Sequence, residues 1–263
     1  MRRKGGVRRD QDIEVHRMKI LTIDIETSPN LADVWSLWNV NVGLSQLREA
    51  SKVMCFAAKF HGDKKVHYYS DFHHGHGVMI EKAHGLLEEA DAVIHWNGAR
   101  FDIPHLNREF MLAELGPPAP FVQIDLLKTV RKVARFSSNK LDHVAQQLGV
   151  GSKVKHEGHS LWTKCMAGDA AAWNRMRRYN RQDVVLTEQL YDKLLPWIVG
   201  HPSVPLIDGI QGDACPKCAS THLQSRGYRV LAAGRYHRYQ CMDCKSWSNV
   251  ATRESGVPLR SIS

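Results

Sequence analysis

The run Met18-Lys19-Ile20-Leu21-Thr22-Ile23-Asp24-Ile25-Glu26 spaces branched apolar residues along a short stretch and sets two acids among them. Ile20, Ile23 and Ile25 favour an extended strand. Side chains on a strand alternate between its faces, so Asp24 and Glu26 point one way and Ile23 and Ile25 the other. The isoleucine side predicts apolar packing, and a packed strand is a costly place for two carboxylates. A divalent cation held by both would offset that cost. A solvated sheet face is the plain alternative, and an Asp-x-Glu pair alone does not choose between them.

Downstream, residues at about 53–60 and 65–70 read as further strands with Gly62-Asp63 as the turn. Cys55, inside the apolar run Val53–Phe60, reads as a core residue, whereas Cys165 carries no signal. His73-His74-Gly75-His76-Gly77 reads as a solvated loop before a metal site. A helix over 78–90 leads into the short apolar strand Ala92-Val93-Ile94-His95-Trp96, and another over 102–115 ends at Gly116-Pro117-Pro118. Residues 121–125 form a candidate fifth strand. Ser138-Asn139-Lys140 opens a helix that Gly149 closes, and a long helix follows over 169–195. Strands first, then strand and helix in alternation, predict an α/β domain with a mixed five-stranded sheet flanked by helices. Pro196, Pro202 and Pro205 mark a linker over 199–212, and residues 1–17 read as an appended basic arm.

Asp102 ends the strand-to-helix connection Asn97-Gly98-Ala99-Arg100-Phe101-Asp102. Such connections line the ligand crevice of open α/β sheets, but Asp is also a favoured helix cap. Tyr179 and Asp183 stand four apart and share a helix face with Met176, Leu186 and Leu190. An acid in that apolar stripe needs a metal or a partner, and Arg178 or Arg181 offers the second possibility.

Three stretches together resemble a known family. Ile-Asp-Ile-Glu-Thr-Ser-Pro at 23–29, Trp-Asn-Gly-Ala-Arg-Phe-Asp-Ile-Pro-His-Leu at 96–106 and Tyr-Asn-Arg-Gln-Asp-Val at 179–184 resemble, in order, the three exonuclease motifs of the DEDD superfamily. The chain over about 18–198 is similar to proofreading domains of family B DNA polymerases and to related stand-alone, often phage-encoded, exonucleases. Asn139-Lys140-Leu141-Asp142-His143-Val144-Ala145 matches a helix that such domains carry between the second and third motifs. Tyr179, four before Asp183, fits the tyrosine subclass, because Arg178 stands where the histidine subclass has His.

The resemblance implies a ribonuclease H-like fold and a 3′–5′ exonuclease that hydrolyses the terminal phosphodiester with two Mg²⁺ or Mn²⁺ ions. It implies that Asp24 bridges both ions, with Glu26 and Asp183 on one and Asp102 reaching the other directly or through water. Tyr179 would orient the attacking water, since a phenol with a pKa of about 10 is a poor base at neutral pH. Asn97 and Phe101 match positions that contact terminal nucleotides, although Phe101 equally suits packing at its helix start. Lys140 is a third expected contact, and Asp125 reads as a supporting group. Four neighbouring carboxylates repel, so at least one should hold its proton unusually tightly.

Net charge is +9, and it sits at the ends. Residues 1–20 hold seven Lys or Arg and three Asp or Glu, residues 211–263 hold eight and three, and the 190 between carry 21 of each sign. Basic ends on a neutral body suggest a gripped polyanion, with solubility as the bland alternative. No apolar run is long enough for a membrane span, and the N-terminal stretch has neither the apolar core of a secretory signal nor the acid-poor composition of a transit peptide. A cytoplasmic address, the host's if phage-encoded, is the expectation.

Cys215-Pro216-Lys217-Cys218 and Cys241-Met242-Asp243-Cys244 are two C-x₂-C knuckles 22 residues apart. Four thiolates at this spacing suit one structural, tetrahedral Zn²⁺, and the module resembles a zinc ribbon of DNA-associated proteins. Residues 228–231 and 236–240 read as a hairpin around Ala233-Gly234. Arg226, Arg229, Arg235 and Arg238, interleaved with Tyr228, Tyr236, Tyr239 and Trp247, read as a nucleic-acid surface, with protein docking as the alternative. DNA is the expected substrate, with replication or repair proteins as possible partners. An exoribonuclease and a catalytically silent nucleic-acid binder are the competing readings.

Overall fold

The computed structural model describes residues 17–155, 157–232 and 234–256. Most of the basic arm expected over 1–17, residues 257–263 at the C-terminal end and Ala233 at the hairpin turn lie outside the described residues. Lys19–Pro202 form one compact unit, and Ser203 onward with Met18 form a second.

In the larger unit the central strand is β1 (Ile20–Thr27), as its branched residues predict. On one side of it lie β2 (Val53–Phe60) and β3 (His67–Ser70), each antiparallel to its neighbour. On the other side β4 (Ala92–His95) and β5 (Val122–Asp125) run parallel, giving the order β3-β2-β1-β4-β5. The mixed five-stranded sheet is the one expected of a ribonuclease H-like domain.

Among the described residues of this unit, seven α-helices frame the sheet. These are α1 (Asp71–His74), α2 (His76–Glu88), α3 (Asp102–Leu112), α4 (Leu126–Val133), α5 (Leu141–Gln147), α6 (His159–Met166) and α7 (Ala170–Leu194). Leu21, Ile23, Ile25, Phe56 and Ala58 pack on Met79, Ile80, Ala83 and Leu87 of α2 and on Ile103, Leu106 and Phe110 of α3. The opposite face sets Cys55 and Ala57 against Leu161 and Cys165 of α6 and Trp173, Met176, Tyr179 and Val184 of α7. The alternation in β1 therefore sends Leu21, Ile23 and Ile25 toward α2 and α3 and its acids toward α7. Cys165, silent in the sequence, is a core residue whose carbonyl accepts the Trp173 indole N–H at 2.9 Å. A buried Lys59–Glu188 ion pair also joins β2 to α7.

The histidine-rich stretch is not the loop expected from its glycines. The Ser70 hydroxyl accepts the His73 N–H and caps α1, and Gly75 breaks it from α2 with a φ of 80°, which suits a residue without Cβ. His73 Nδ1 meets Ser70, His74 Nδ1 accepts the Ser70 N–H, and His76 Nε2 meets Glu109. Two of the imidazoles thus engage Ser70 and the third Glu109, rather than converging on a common ligand centre.

In the smaller unit β7 (Gly234–Cys241) lies between β6 (Leu223–Leu231) on one edge and β8 (Trp247–Asn249) with β9 (Ser255–Gly256) on the other. The hairpin is longer than expected because a bulge between Ser225 and Tyr228, with Gly227 at φ 73°, lets β6 keep pairing. Residues 203–212, read as linker from their prolines, belong to this unit and carry α8 (Val204–Ile207). Pro205 sits in the first turn, where a missing N–H leaves no bond unmade, and the Val204 N–H reaches the Pro216 carbonyl at 2.9 Å.

Leu106 is fully enclosed between α3 and β1. Leu106→Ala should lower the unfolding free energy in urea by about 2–5 kcal/mol while leaving the far-ultraviolet circular dichroism of the folded chain unchanged.

Candidate active site

Asp24 and Glu26 leave β1 toward α7, where Asp183 is fully buried. Carboxylate oxygens of these three residues all lie within 4.8 Å of one another. The neighbours across the β1–β2 ladder are Ala57 beside Asp24 and Cys55 beside Glu26. Two small side chains there leave room for the acids under α7.

Asp102 stands in the first turn of α3, but it is not the cap. Phe101 is the N-cap and makes no side-chain cap bond, while Asp102 Oδ1 accepts the Ile25 N–H at 3.0 Å. The second motif is thereby tied to the backbone between Asp24 and Glu26. Asp102 lies outside the three-acid cluster, yet its charge acts on both Asp24 and Glu26.

Asp183 does not take Arg178 or Arg181 as its cation. Lys153, on the loop between α5 and α6, places Nζ 2.5 Å from Asp183 Oδ2 and 3.1 Å from the Tyr179 hydroxyl. Its ammonium also lies 5.1 Å from the Tyr179 ring centre. Asn180 donates from Nδ2 to the Asp24 carbonyl at 3.0 Å and to Asp24 Oδ2 at 2.7 Å, locking backbone and side chain together. Trp162 stands close enough to Glu26 to favour its charged form, and its ring meets Tyr179 edge-on at 6.1 Å.

Burial dominates the electrostatics. It pushes Asp24 well above the ordinary carboxylate range, and repulsion from Glu26, Asp102 and Asp183 adds to the rise. Burial, with Asp183 next, raises Glu26 to about 8 against the pull of Lys153. Asp102 is raised by burial to about 6, against the Ile25 N–H, which favours the charged carboxylate. Tyr179 is pushed well above the ordinary phenol value by burial and by Glu26 and Asp183. Burial works against the Lys153 ammonium, but Asp183 and Tyr179 outweigh it and raise the pKa. An all-oxygen donor set, buried and repelling itself, has the chemistry of a site for a hard divalent cation.

Asp125 is a supporting group, at the end of β5. Its Oδ1 accepts the Lys128 N–H, capping α4, and the Asn97 N–H, both at 3.2 Å. Asn97 there holds a φ of 71°, an uncommon conformation for a residue with a side chain. Phe101 is 40% exposed and meets His105 edge-on, and Lys140 is exposed at the start of α5.

In the smaller unit the four Sγ atoms of Cys215, Cys218, Cys241 and Cys244 lie within 4.8 Å of one another. Cys215–Cys244 and Cys218–Cys241 are 3.5 and 3.7 Å apart, too far for disulfides. Sulfurs about 2.3 Å from a tetrahedral centre stand about 3.8 Å from one another, so the cluster fits zinc. Burial raises the Cys241 thiol, but N–H groups of Cys244 and Asp243 outweigh it and bring it down to about 7. The ribbon arginines do not share one surface: strand register puts Arg235 on the face opposite Arg229 and Arg238, with Arg226 in the bulge.

Lys153, Asn180 and Trp162 were invisible to motif spacing. Asn180 lies inside the third quoted motif, next to Tyr179, and a helical wheel would have turned it toward β1. Lys153 sits in a glycine- and lysine-rich loop whose path no local pattern specifies.

A model of the RNase H superfamily matches residues 23–195. No curated protein matches. Among solved structures, the family B DNA polymerase from the hyperthermophilic archaeon Pyrobaculum calidifontis is similar, with a TM-score of 0.53 at 20% identity. That match covers 68% of this chain and 25% of the polymerase, so the chain spans about a quarter of that protein, and the likeness is one of fold. The family match runs from β1 to the end of α7 and takes in Asp24, Glu26, Asp102 and Asp183, so the chain belongs to the RNase H superfamily.

Proposed function

We propose that the chain is a metal-dependent 3′–5′ exonuclease acting on single-stranded DNA, with the zinc ribbon as an additional grip on nucleic acid. One observation carries the reading: Asp24 and Glu26, half-buried on β1, and the fully buried Asp183 of α7 bring carboxylate oxygens within 4.8 Å of one another. Membership of the RNase H superfamily supports a nuclease. The direction of digestion and the choice of DNA rest on the motif resemblance.

Asp24, Glu26 and Asp183, with Asp102 beside them, would hold two Mg²⁺ or Mn²⁺ ions, which activate a water and neutralise charge building on the phosphodiester. The protein's own groups set the stage. Asn180 fixes Asp24 in one orientation, and Asp102 braces the backbone between the two β1 acids. Tyr179 keeps its proton at neutral pH, so it orients a water by hydrogen bonding and does not act as a base. Lys153 holds Asp183 and Tyr179 together on one side of the cluster. Asn97 and Phe101, at the mouth of α3, are the proposed contacts to the terminal nucleotides, and Lys140 a further one.

Single-stranded DNA labelled at its 5′ end should shorten progressively in Mg²⁺, and a blocked 3′ end should prevent it. Asp24→Ala or Asp183→Ala should abolish that shortening with the fold retained. Activity surviving in those variants at equal purity overturns the assignment, and RNA consumed in preference to DNA moves it to the exoribonuclease reading. The purified chain should also carry about one zinc per molecule by elemental analysis, lost in Cys241→Ser.

A further inference from the structure

Strand register sorts the ribbon's charges onto two faces. Tyr228 pairs with His237 and Val230 with Arg235 on one face, whereas Arg229 pairs with Tyr236 on the other. Along β7, Arg238 shares the side of Tyr236, and β8 adds Trp247 and Asn249 to it, opposite Gln240 and Arg238.

The first face is closed on itself. The Arg235 guanidinium lies 4.2 Å from the Tyr228 ring and 3.7 Å from Glu254, and the Tyr228 hydroxyl donates to the same Glu254 at 3.3 Å. Its cation is already matched by an acid.

The second face has the opposite character, with no Asp or Glu at any of its paired positions. Arg238 donates from Nε and Nη2 to the Arg226 carbonyl at 3.1 and 2.8 Å, which uses two of its five N–H groups and fixes its plane. That plane lies 4.9 Å from the Trp247 ring, and Trp247 is 51% exposed. Arg229 is steadied by Asn249 Oδ1 at 3.2 Å. Two arginines held in place by neutral oxygens, beside an open indole, match a chain of phosphates carrying unpaired bases.

We propose that this second face, formed by Arg229, Tyr236, Arg238 and Trp247, binds single-stranded nucleic acid, with phosphates on the two arginines and a base stacked on Trp247. The inference rests on the reading of the ribbon as a nucleic-acid grip and says which face does the gripping. A duplex keeps its bases stacked on one another, so it offers the phosphates without the partner for Trp247.

The test is fluorescence anisotropy of labelled oligothymidylate with the full-length, zinc-loaded chain in an Asp24→Ala background, so that the probe stays intact. The double change Arg229→Gln, Arg238→Gln should weaken binding about tenfold or more and flatten the slope of log affinity against log salt by about 1.4, or about 0.7 per cation. Trp247→Ala should cost about five- to a hundredfold on the single strand, with little change in slope and little effect on a duplex of the same length. Arg235→Gln should match the parent, and every variant should retain its zinc. A loss in Arg235→Gln equal to the double variant's, or a Trp247→Ala loss equal on duplex and single strand, overturns the choice of face. If full-length Cys241→Ser binds as well as the parent, the grip reading itself fails. If Cys241→Ser binds poorly while the second-face variants bind like the parent, only the face is wrong.

Discussion

The structure of the larger unit depends on one electrostatic conflict, the burial of like charges at the centre of the sheet. Asp24 and Glu26 leave the middle strand, Asp183 meets them from α7, and Asp102 attaches to the backbone between the first two. Folding removes water from acids that repel one another, which raises the proton affinity of Asp24, Glu26 and Asp102. Lys153 sets one ammonium against this group and reaches only the Asp183 side of it. A site built in this way favours protons or divalent cations, and it binds the latter best where the former have left.

Much of the surrounding packing reads as the means of holding that conflict in place. Leu21, Ile23 and Ile25 of β1 are clamped by α2 and α3, so the strand cannot turn its acids outward without uncovering its core. Small residues at Cys55 and Ala57 make space on the other face, and Trp173 and Met176 anchor α7 over it. Tyr179 is retained as a proton donor by the same desolvation that raises the carboxylates. Fold and chemistry share one cause, which is the low dielectric beneath α7.

The elements that carry the site were legible because each has a local signature. Alternation in β1, the helical spacing of Tyr179 and Asp183, and the knuckle spacing of the cysteines depend on residues a few positions apart. The groups that complete the site were not, because their roles depend on tertiary approach. Lys153 comes from an irregular loop, and Asp102 taken alone reads better as a helix cap, whereas its carboxylate turns to Ile25. The histidine stretch failed for a different reason. Gly75 suits a loop by its local pattern, but it separates two helices, the first of them capped by Ser70. Likewise the ribbon arginines looked like one surface until strand pairing divided them.

The central claim, that buried carboxylates hold protons until a divalent cation replaces them, is tested most directly by thermal unfolding against pH. Glu26 and Asp102 bind protons more tightly folded than unfolded, so their contribution to stability is complete below the ordinary carboxylate range and is lost as pH rises through about 6 for Asp102 and about 8 for Glu26. Without divalent metal the unfolding midpoint of the larger unit should therefore fall from about pH 4.5 and level off above about pH 8, and Glu26→Gln should blunt that fall. Added Mg²⁺ should raise the midpoint more at the upper end of this window than at the lower. A midpoint that holds steady or rises without metal, or a Mg²⁺ effect equal at both ends, would contradict the account.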